Sequence, residues 1–161
     1  PFHYMKHSHP KVAFDLKQPI QFLALGFGSG LAPKAPGTFG TLAAIPLFFL
    51  LAMLSPLLYL IAVIMMSVVG IYICGKAADD VGVHDHPAIV WDEFVGFFIT
   101  MFMIPVSWQS VLVGFLLFRL FDIVKPWPIS YIDKKVSGGL GIMLDDILAG
   151  AFALVIMQLI F

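Results

Sequence analysis

The charged residues of this chain fall in blocks, and the long stretches between those blocks hold none. No Asp, Glu, Lys or Arg occurs between Lys34 and Lys76, between Glu93 and Arg119, or after Asp146. Of the 161 residues, 60% are hydrophobic and 12% charged, against about 45–50% and about 25% in an ordinary soluble domain. Too few polar side chains remain to coat a water-soluble globule, so the charge-free stretches read as helices packed in a bilayer. The expected fold is an all-α integral membrane protein, a compact bundle of about five membrane helices with glycine-rich cytoplasmic loops. Residues 1–21 read as a polar N-terminal tail without the apolar core of a secretory signal, and residues 22–161 as one membrane-embedded domain.

Local signals divide the gaps. Thr38 is placed to cap a helix running through Thr41 to Leu54, with Pro46 as a kink point. Ser55-Pro56 stops that helix and starts the next, with Ser as N-cap and Pro at the first helical position; this second helix extends to about Cys74. The segment ending at Ile104 nearly spans if counted from Pro87, which sets Asp92 and Glu93 roughly two turns inside it, where ionisable groups are usually functional. Ser107 caps a helix to about Val124, and a last one runs from about Asp145 to Phe161. All nine Lys and Arg lie in the N-terminal segment, near Lys76, or from Arg119 to Lys135. These regions share one side, which the positive-inside rule makes the cytoplasm. Trp91 and Trp127 would mark that interface and Trp108 the other. Small residues at four-residue spacing, Gly96/Thr100 and Ala149/Ala153, suit close helix packing.

Asp92-Glu93, Asp122 and Asp145-Asp146 fall where three different helices meet the charged interface, and folding is expected to bring them together. Carboxylates side by side call for a cation, and oxygen ligands select Mg²⁺, Mn²⁺ or Ca²⁺ over zinc. Helix capping explains Asp92 or Asp145 singly, but not Asp122 near a helix C-terminus. Arg119, Asp122 and Lys125 are spaced i, i+3, i+6. Arg119 and Asp122 can pair simply to remain in the membrane, and Arg119 and Lys125 can equally clamp a phosphate. Gly26 to Gly30 and Pro36 to Gly40 flank Lys34. With the hydroxyls of Ser29 and Thr38 they offer flexible backbone and a helix N-terminus to an anion; a re-entrant membrane loop explains the same residues. Gly138-Gly139-Leu140-Gly141 reads as a second glycine loop leading into Asp145-Asp146. Cys74 is the sole cysteine, which excludes an internal disulfide and a Cys-rich zinc site. A net charge of -1 gives no reason to expect nucleic acid. His84-Asp85-His86 suits either an acid–base role or a solvated loop.

Several of these stretches in succession resemble the signatures of the phosphatidylglycerophosphatase A family. They are Gly28-Ser29-Gly30 with Lys34-Ala35-Pro36-Gly37-Thr38, the run Val90-Trp91-Asp92-Glu93-Phe94-Val95-Gly96, the run Phe118 to Pro128, and the run Gly138 to Gly150. The resemblance covers the chain from about Phe22 onward and makes residues 22–161 a lipid phosphatase domain. It implies a Mg²⁺-dependent, multi-pass enzyme of the bacterial inner membrane, its active site facing the cytoplasm, that converts phosphatidylglycerophosphate to phosphatidylglycerol. It also implies that Asp92, Glu93, Asp122, Asp145, Asp146, Arg119 and Lys125 belong to the functional face. Asp85 falls on a family position, though His86 intervenes where the family more often has Asp-Pro.

The chain shows no Cys-based phosphate loop, no Asp-x-Asp nucleophile and no histidine-nucleophile triple motif, which leaves metal-assisted hydrolysis as the expected chemistry. Asp92, Glu93, Asp122 and Asp146 are the expected catalytic acids, with Asp92 or Asp146 as general base. Glu93, Asp122, Asp145, Asp146 and Asp85 are the expected Mg²⁺ ligands. Ser29, Lys34, Thr38, Arg119 and Lys125 are the expected phosphate-binding residues. The expected partners are the lipid substrate and the surrounding membrane. A small transporter or channel is the alternative, although such proteins place charged groups near the midplane and the helix centres here hold none.

Overall fold

The computed structural model describes residues 14–82 and 88–161. Among the described residues there are seven α-helices, one 3₁₀ turn at Ser29–Leu31 and no strand. They are α1 (Pro19–Ala24), α2 (Pro36–Leu51), α3 (Pro56–Val81), α4 (Trp91–Thr100), α5 (Trp108–Val124), α6 (Ile129–Lys135) and α7 (Gly138–Ile160).

Two helices, α3 with 26 residues and α7 with 23, are long and apolar enough to cross a membrane. At 1.5 Å per residue the 16 residues of α2 and 17 of α5 give about 24–26 Å, at the short end of a span, and the 10 of α4 do not approach one. Among the described residues the bundle is helical throughout, with helices of unequal reach. Its exterior is oily: Leu57, Ile64, Met65, Val68 and Tyr72 on α3, and Val155 and Leu159 on α7, all stand exposed. Soluble monomers rarely keep so many large apolar side chains exposed, and the pattern suits a protein seated in a membrane.

At the centre is α4. Nine of its ten residues are buried, and it packs on α2, α3, α5 and α7. Its closest neighbour is α7, and the reason is the absence of side chains at the crossing. A Cβ on Gly150 would come within 3.2 Å of the Gly96 Cα. Ala149 and Ala153 line the same contact, fully buried. Small residues let backbones approach where no hydrophobic effect drives helices together in lipid. Buried polar atoms are satisfied locally: Thr100 Oγ1 donates to the Gly96 carbonyl at 2.9 Å and Tyr59 Oη to the Phe98 carbonyl at 2.5 Å.

The predicted caps at Ser55 and Ser107 are present. Ser55 Oγ accepts from the Leu58 N–H at 3.3 Å, and Ser107 and Ser110 form a reciprocal capping box. Other boundaries move. α2 begins at Pro36 rather than behind Thr38, because Pro occupies the first helical position without losing a needed N–H. α3 runs past Cys74 to Val81 and stops at Gly82, which takes the left-handed conformation at φ 73°. α4 starts at Trp91 rather than Pro87, so Asp92 and Glu93 stand in its first turn instead of two turns deep.

The largest difference is at α7. Gly138 to Gly141 form its first turn rather than a loop. The missing side chains serve helix packing, since a Cβ on Gly139 would strike the Ile71 carbonyl of α3. Asp145 and Asp146 therefore lie two turns inside α7, not at its start. Trp91 likewise is a core residue, its indole N–H bonded to the Met66 carbonyl at 3.1 Å, whereas Trp108 and Trp127 are exposed.

Candidate active site

Four elements bring polar groups to one end of the bundle. The start of α2 supplies the backbone of Ala35, Pro36 and Gly37. The first turn of α4 supplies Asp92 and Glu93. The last turn of α5 supplies Arg119 and Asp122, with Lys125 just past its end, and the third turn of α7 supplies Asp145 and Asp146. Together they line a cavity of about 290 Å³ whose apolar walls are Ile89, Ile123 and Ile142.

All five carboxylates are at most 8% exposed. Against them stand two cations, so full ionisation would leave the lining at 2 − 5 = −3. Burial of uncompensated charge is costly, and such an array needs either protons or a bound cation. Asp92, Glu93 and Asp146 each offer a carboxylate oxygen within 4.8 Å of the others. Asp92 Oδ1 and Asp146 Oδ2 are buried without a hydrogen-bond partner among the described residues. Orphaned, converging, acceptor-only oxygens are what a hard divalent cation requires, and the donor set fits Mg²⁺ or Mn²⁺ better than a softer metal.

The other side of the cavity is arranged for an anion. Asp122 accepts hydrogen bonds from Arg119 Nη1 and, at 3.5 Å, from Lys125 Nζ. Arg119 Nη1 also lies 3.8 Å from Glu93 Oε1. The guanidinium rests against α2, where a Cβ on Gly37 would sit 3.0 Å from both Nη1 and Nη2. Glycine at that position lets the positive end of α2 and the Arg119 cation share one wall. Arg119 Nε is buried with no hydrogen-bond partner among the described residues, a donor still awaiting an acceptor. Burial works against the Lys125 ammonium, but the carboxylates of Asp122, Asp146, Asp145 and Asp133 outweigh it and hold its pKa above the ordinary lysine value.

Two residues lining the cavity adopt left-handed backbone although neither is glycine: Ala35 at φ 49° and Lys125 at φ 50°. That conformation costs about 1–2 kcal/mol for a residue with a Cβ, and such outliers cluster where function requires a geometry. At Lys125 it closes α5, its N–H bonding the Phe121 carbonyl, and its amine reaches back to Asp122.

The structure thus brings together Asp92, Glu93, Asp122, Asp145, Asp146, Arg119 and Lys125. It does not bring Ser29, Lys34 or Thr38 into the lining. Ser29 Oγ donates to the Gly26 carbonyl at 2.8 Å and holds its own turn. Lys34 is exposed on the loop before Ala35, and Thr38 is half-buried on the turn behind Gly37. Asp85, with His84 and His86, lies outside the described residues. The converging trio includes Asp92, which the sequence suggested for catalysis rather than for the ion, and leaves Asp122 and Asp145 outside it. Of the stretch from Pro36 to Gly40 that the sequence offered to an anion, Pro36 and Gly37 line the cavity, together with Ala35 just before them.

An all-helical bundle with an apolar exterior and a buried site of carboxylates, guanidinium and amine at one end has the charge pattern of an enzyme that handles anionic groups. The chain belongs to the phosphatidylglycerophosphatase A family, whose profile matches residues 22–161, and it is a phosphatase. It is 49% identical over 144 residues to phosphatidylglycerophosphatase A of Escherichia coli strain K12, covering 89% of this chain and 84% of that one. It is also 49% identical over 154 residues to phosphatidylglycerophosphatase A of Haemophilus influenzae, covering 94% of each. A protein of Bacteroides thetaiotaomicron provisionally named phosphatidylinositol-3-phosphatase is 38% identical over 143 residues, covering 83% of this chain and 88% of that one. No solved structure matches.

Proposed function

We propose that the protein hydrolyses the terminal phosphate monoester of phosphatidylglycerophosphate, giving phosphatidylglycerol and phosphate, with a divalent cation such as Mg²⁺ and at the cytoplasmic face of a bacterial inner membrane. The observation that carries this reading is the convergence on one cavity of opposite charges: buried carboxylates of Asp92, Glu93 and Asp146 close enough to share a cation, and beside them the Arg119 guanidinium and Lys125 ammonium. A phosphate accompanied by a divalent cation satisfies both at once, and neither alone does. Names of two relatives about half identical to this chain supply the headgroup.

Asp92, Glu93 and Asp146 would hold the cation, which would supply Lewis-acid neutralisation of the phosphate charge. Arg119 and Lys125 bind the non-bridging phosphate oxygens, and their cationic charge stabilises what accumulates there as the reaction proceeds. Asp122 holds both cations in place through its two oxygens. Ile89 and Ile142, both buried, give the cavity an apolar lining. Water oxygen bonds to phosphorus as the bond to the glycerol oxygen breaks; a cavity carboxylate takes the proton the water gives up, and the departing glycerol oxygen takes up a proton to leave as the hydroxyl of phosphatidylglycerol. The cytoplasmic assignment is supported by the positive-inside rule, since Arg119 and Lys125 line the cavity and Lys134 and Lys135 end the next helix. Reading the protein as a transporter or channel is disfavoured by its membership in a family of phosphatases.

The test is phosphate release from phosphatidylglycerophosphate by purified protein, with and without EDTA, alongside Asp146→Asn. Release that EDTA stops and Mg²⁺ restores, and that the variant lacks, is expected. Full activity in EDTA or in the variant would overturn the reading.

A further inference from the structure

The strongest feature not used above is an apolar groove beginning one helical turn from the acidic cavity. α2 and α5 meet at the site, where Gly37 lies against Arg119. Farther from the site, Leu42, Ile45 and Phe49 of α2 face Leu112, Phe115 and Leu116 of α5 across a groove of about 320 Å³, with Trp108 at its far end. Leu42, Phe49, Leu112 and Leu116 are each between 43% and 57% exposed, so the groove opens to the bilayer. Nothing in it is charged.

We propose that this groove seats one acyl chain of the phospholipid whose phosphate enters the cavity, an inference that rests on the function proposed above. Length supports it. Gly37 to Phe49 is twelve residues of helix and Arg119 to Trp108 eleven, or about 17–18 Å at 1.5 Å per residue. One leaflet of hydrocarbon is half of about 30 Å. A phospholipid with its phosphate beside Arg119 therefore has a chain of the right reach to end near Trp108.

Continuity supports it as well. Leu116 is three residues from Arg119 on α5, and Leu42 is five from Gly37 on α2, so the apolar wall begins where the anion site stops. A chain leaving the bilayer for this groove gains no hydrophobic free energy, since lipid is as apolar as leucine. What the groove supplies is orientation: it fixes the glycerol backbone so that the monoester lies in the cavity, and small misplacements of a reacting group are costly.

Leu112→Trp fills the groove without touching the cavity, and Ile64→Trp places the same bulk on the exposed outer face of α3. The measurement is kcat/KM for long-chain phosphatidylglycerophosphate in mixed micelles, divided by kcat/KM for its fully deacylated, water-soluble headgroup. Leu112→Trp is expected to lower this ratio by about tenfold or more, and Ile64→Trp to leave it unchanged. An unchanged ratio in Leu112→Trp, or an equal fall in both variants, would overturn the proposal.

A second arm does not depend on turnover or on a folded variant. Wild-type protein in bicelles is photolysed with a diacyl phosphomonoester lipid bearing a diazirine on one chain, and separately with diacylglycerol bearing the same group. Adducts on Phe49, Leu112 and Leu116 enriched with the phosphomonoester are expected. Equal labelling by the two lipids would overturn the groove. Enrichment without any phosphate release would retain the groove and discard the phosphatase reading.

Discussion

Replacing Asp122 by Asn separates two arrangements of the site. If Asp122 were a cation ligand, the change would weaken cation binding as Asp146→Asn does. The geometry gives it another part. Its oxygens are taken by Arg119 and Lys125, and the converging trio is Asp92, Glu93 and Asp146. Asn keeps the shape but removes the charge from both contacts. A hydrogen bond to a charged group contributes about 1.5–3 kcal/mol. The Lys125 contact, at 3.5 Å with the lysine side chain 29% exposed, belongs below that range, at about 0.5–1 kcal/mol. The expected loss of cation positioning is then about 2–4 kcal/mol, or about 30- to 1,000-fold in kcat/KM at 1.36 kcal/mol per tenfold. The assay is phosphate release from phosphatidylglycerophosphate micelles over a Mg²⁺ titration, with thermal unfolding in detergent as the control for folding. Asp122→Asn should lower the plateau with the half-saturating Mg²⁺ moved by less than about threefold, or about 0.65 kcal/mol. A shift in half-saturation as large as that caused by Asp146→Asn would refute the reasoning and place Asp122 among the ligands.

Lys125→Ala should reduce kcat/KM by at least about tenfold, whereas Lys34→Ala, outside the cavity lining, should change it by less than about threefold; comparable losses would bring Lys34 into the site. Gly139→Val drives a side chain into the Ile71 carbonyl and should cost at least about 1–3 kcal/mol of stability, read as a lower unfolding midpoint in detergent. An unchanged midpoint would remove the close approach of α3 and α7. Tyr59→Phe strands the buried Phe98 carbonyl that its hydroxyl serves and should cost about 1–3 kcal/mol, with kcat preserved because Tyr59 does not line the cavity. A loss of kcat at unchanged stability would contradict that.

Features set by short range were legible in the chain. The charge-free gaps announced an oily exterior, and Ser55-Pro56 and Ser107 announced where helices restart, because capping is decided within four residues. Arg119 and Asp122 could be paired on spacing alone, since i and i+3 share a helical face. The glycine run at 138–141 misled for a physical reason. Glycine suits a loop by conformational freedom and a helix crossing by lack of bulk, and only the presence of Ile71 opposite Gly139 tells the two apart. The same ambiguity carried Asp145 and Asp146 from a helix start to its third turn.

The sequence alone determined that the chain would be helical and lipid-coated, and that its ionisable groups would gather at one end, because hydrocarbon tolerates neither open backbone nor stray charge. Which three of those acids face one another, and that Asp122 answers to Arg119 and Lys125 instead, was decided only when α4, α5 and α7 packed. Their rotation about their axes is set by glycine contacts such as Gly96 with Gly150, between residues far apart in the chain, and no local pattern encodes it.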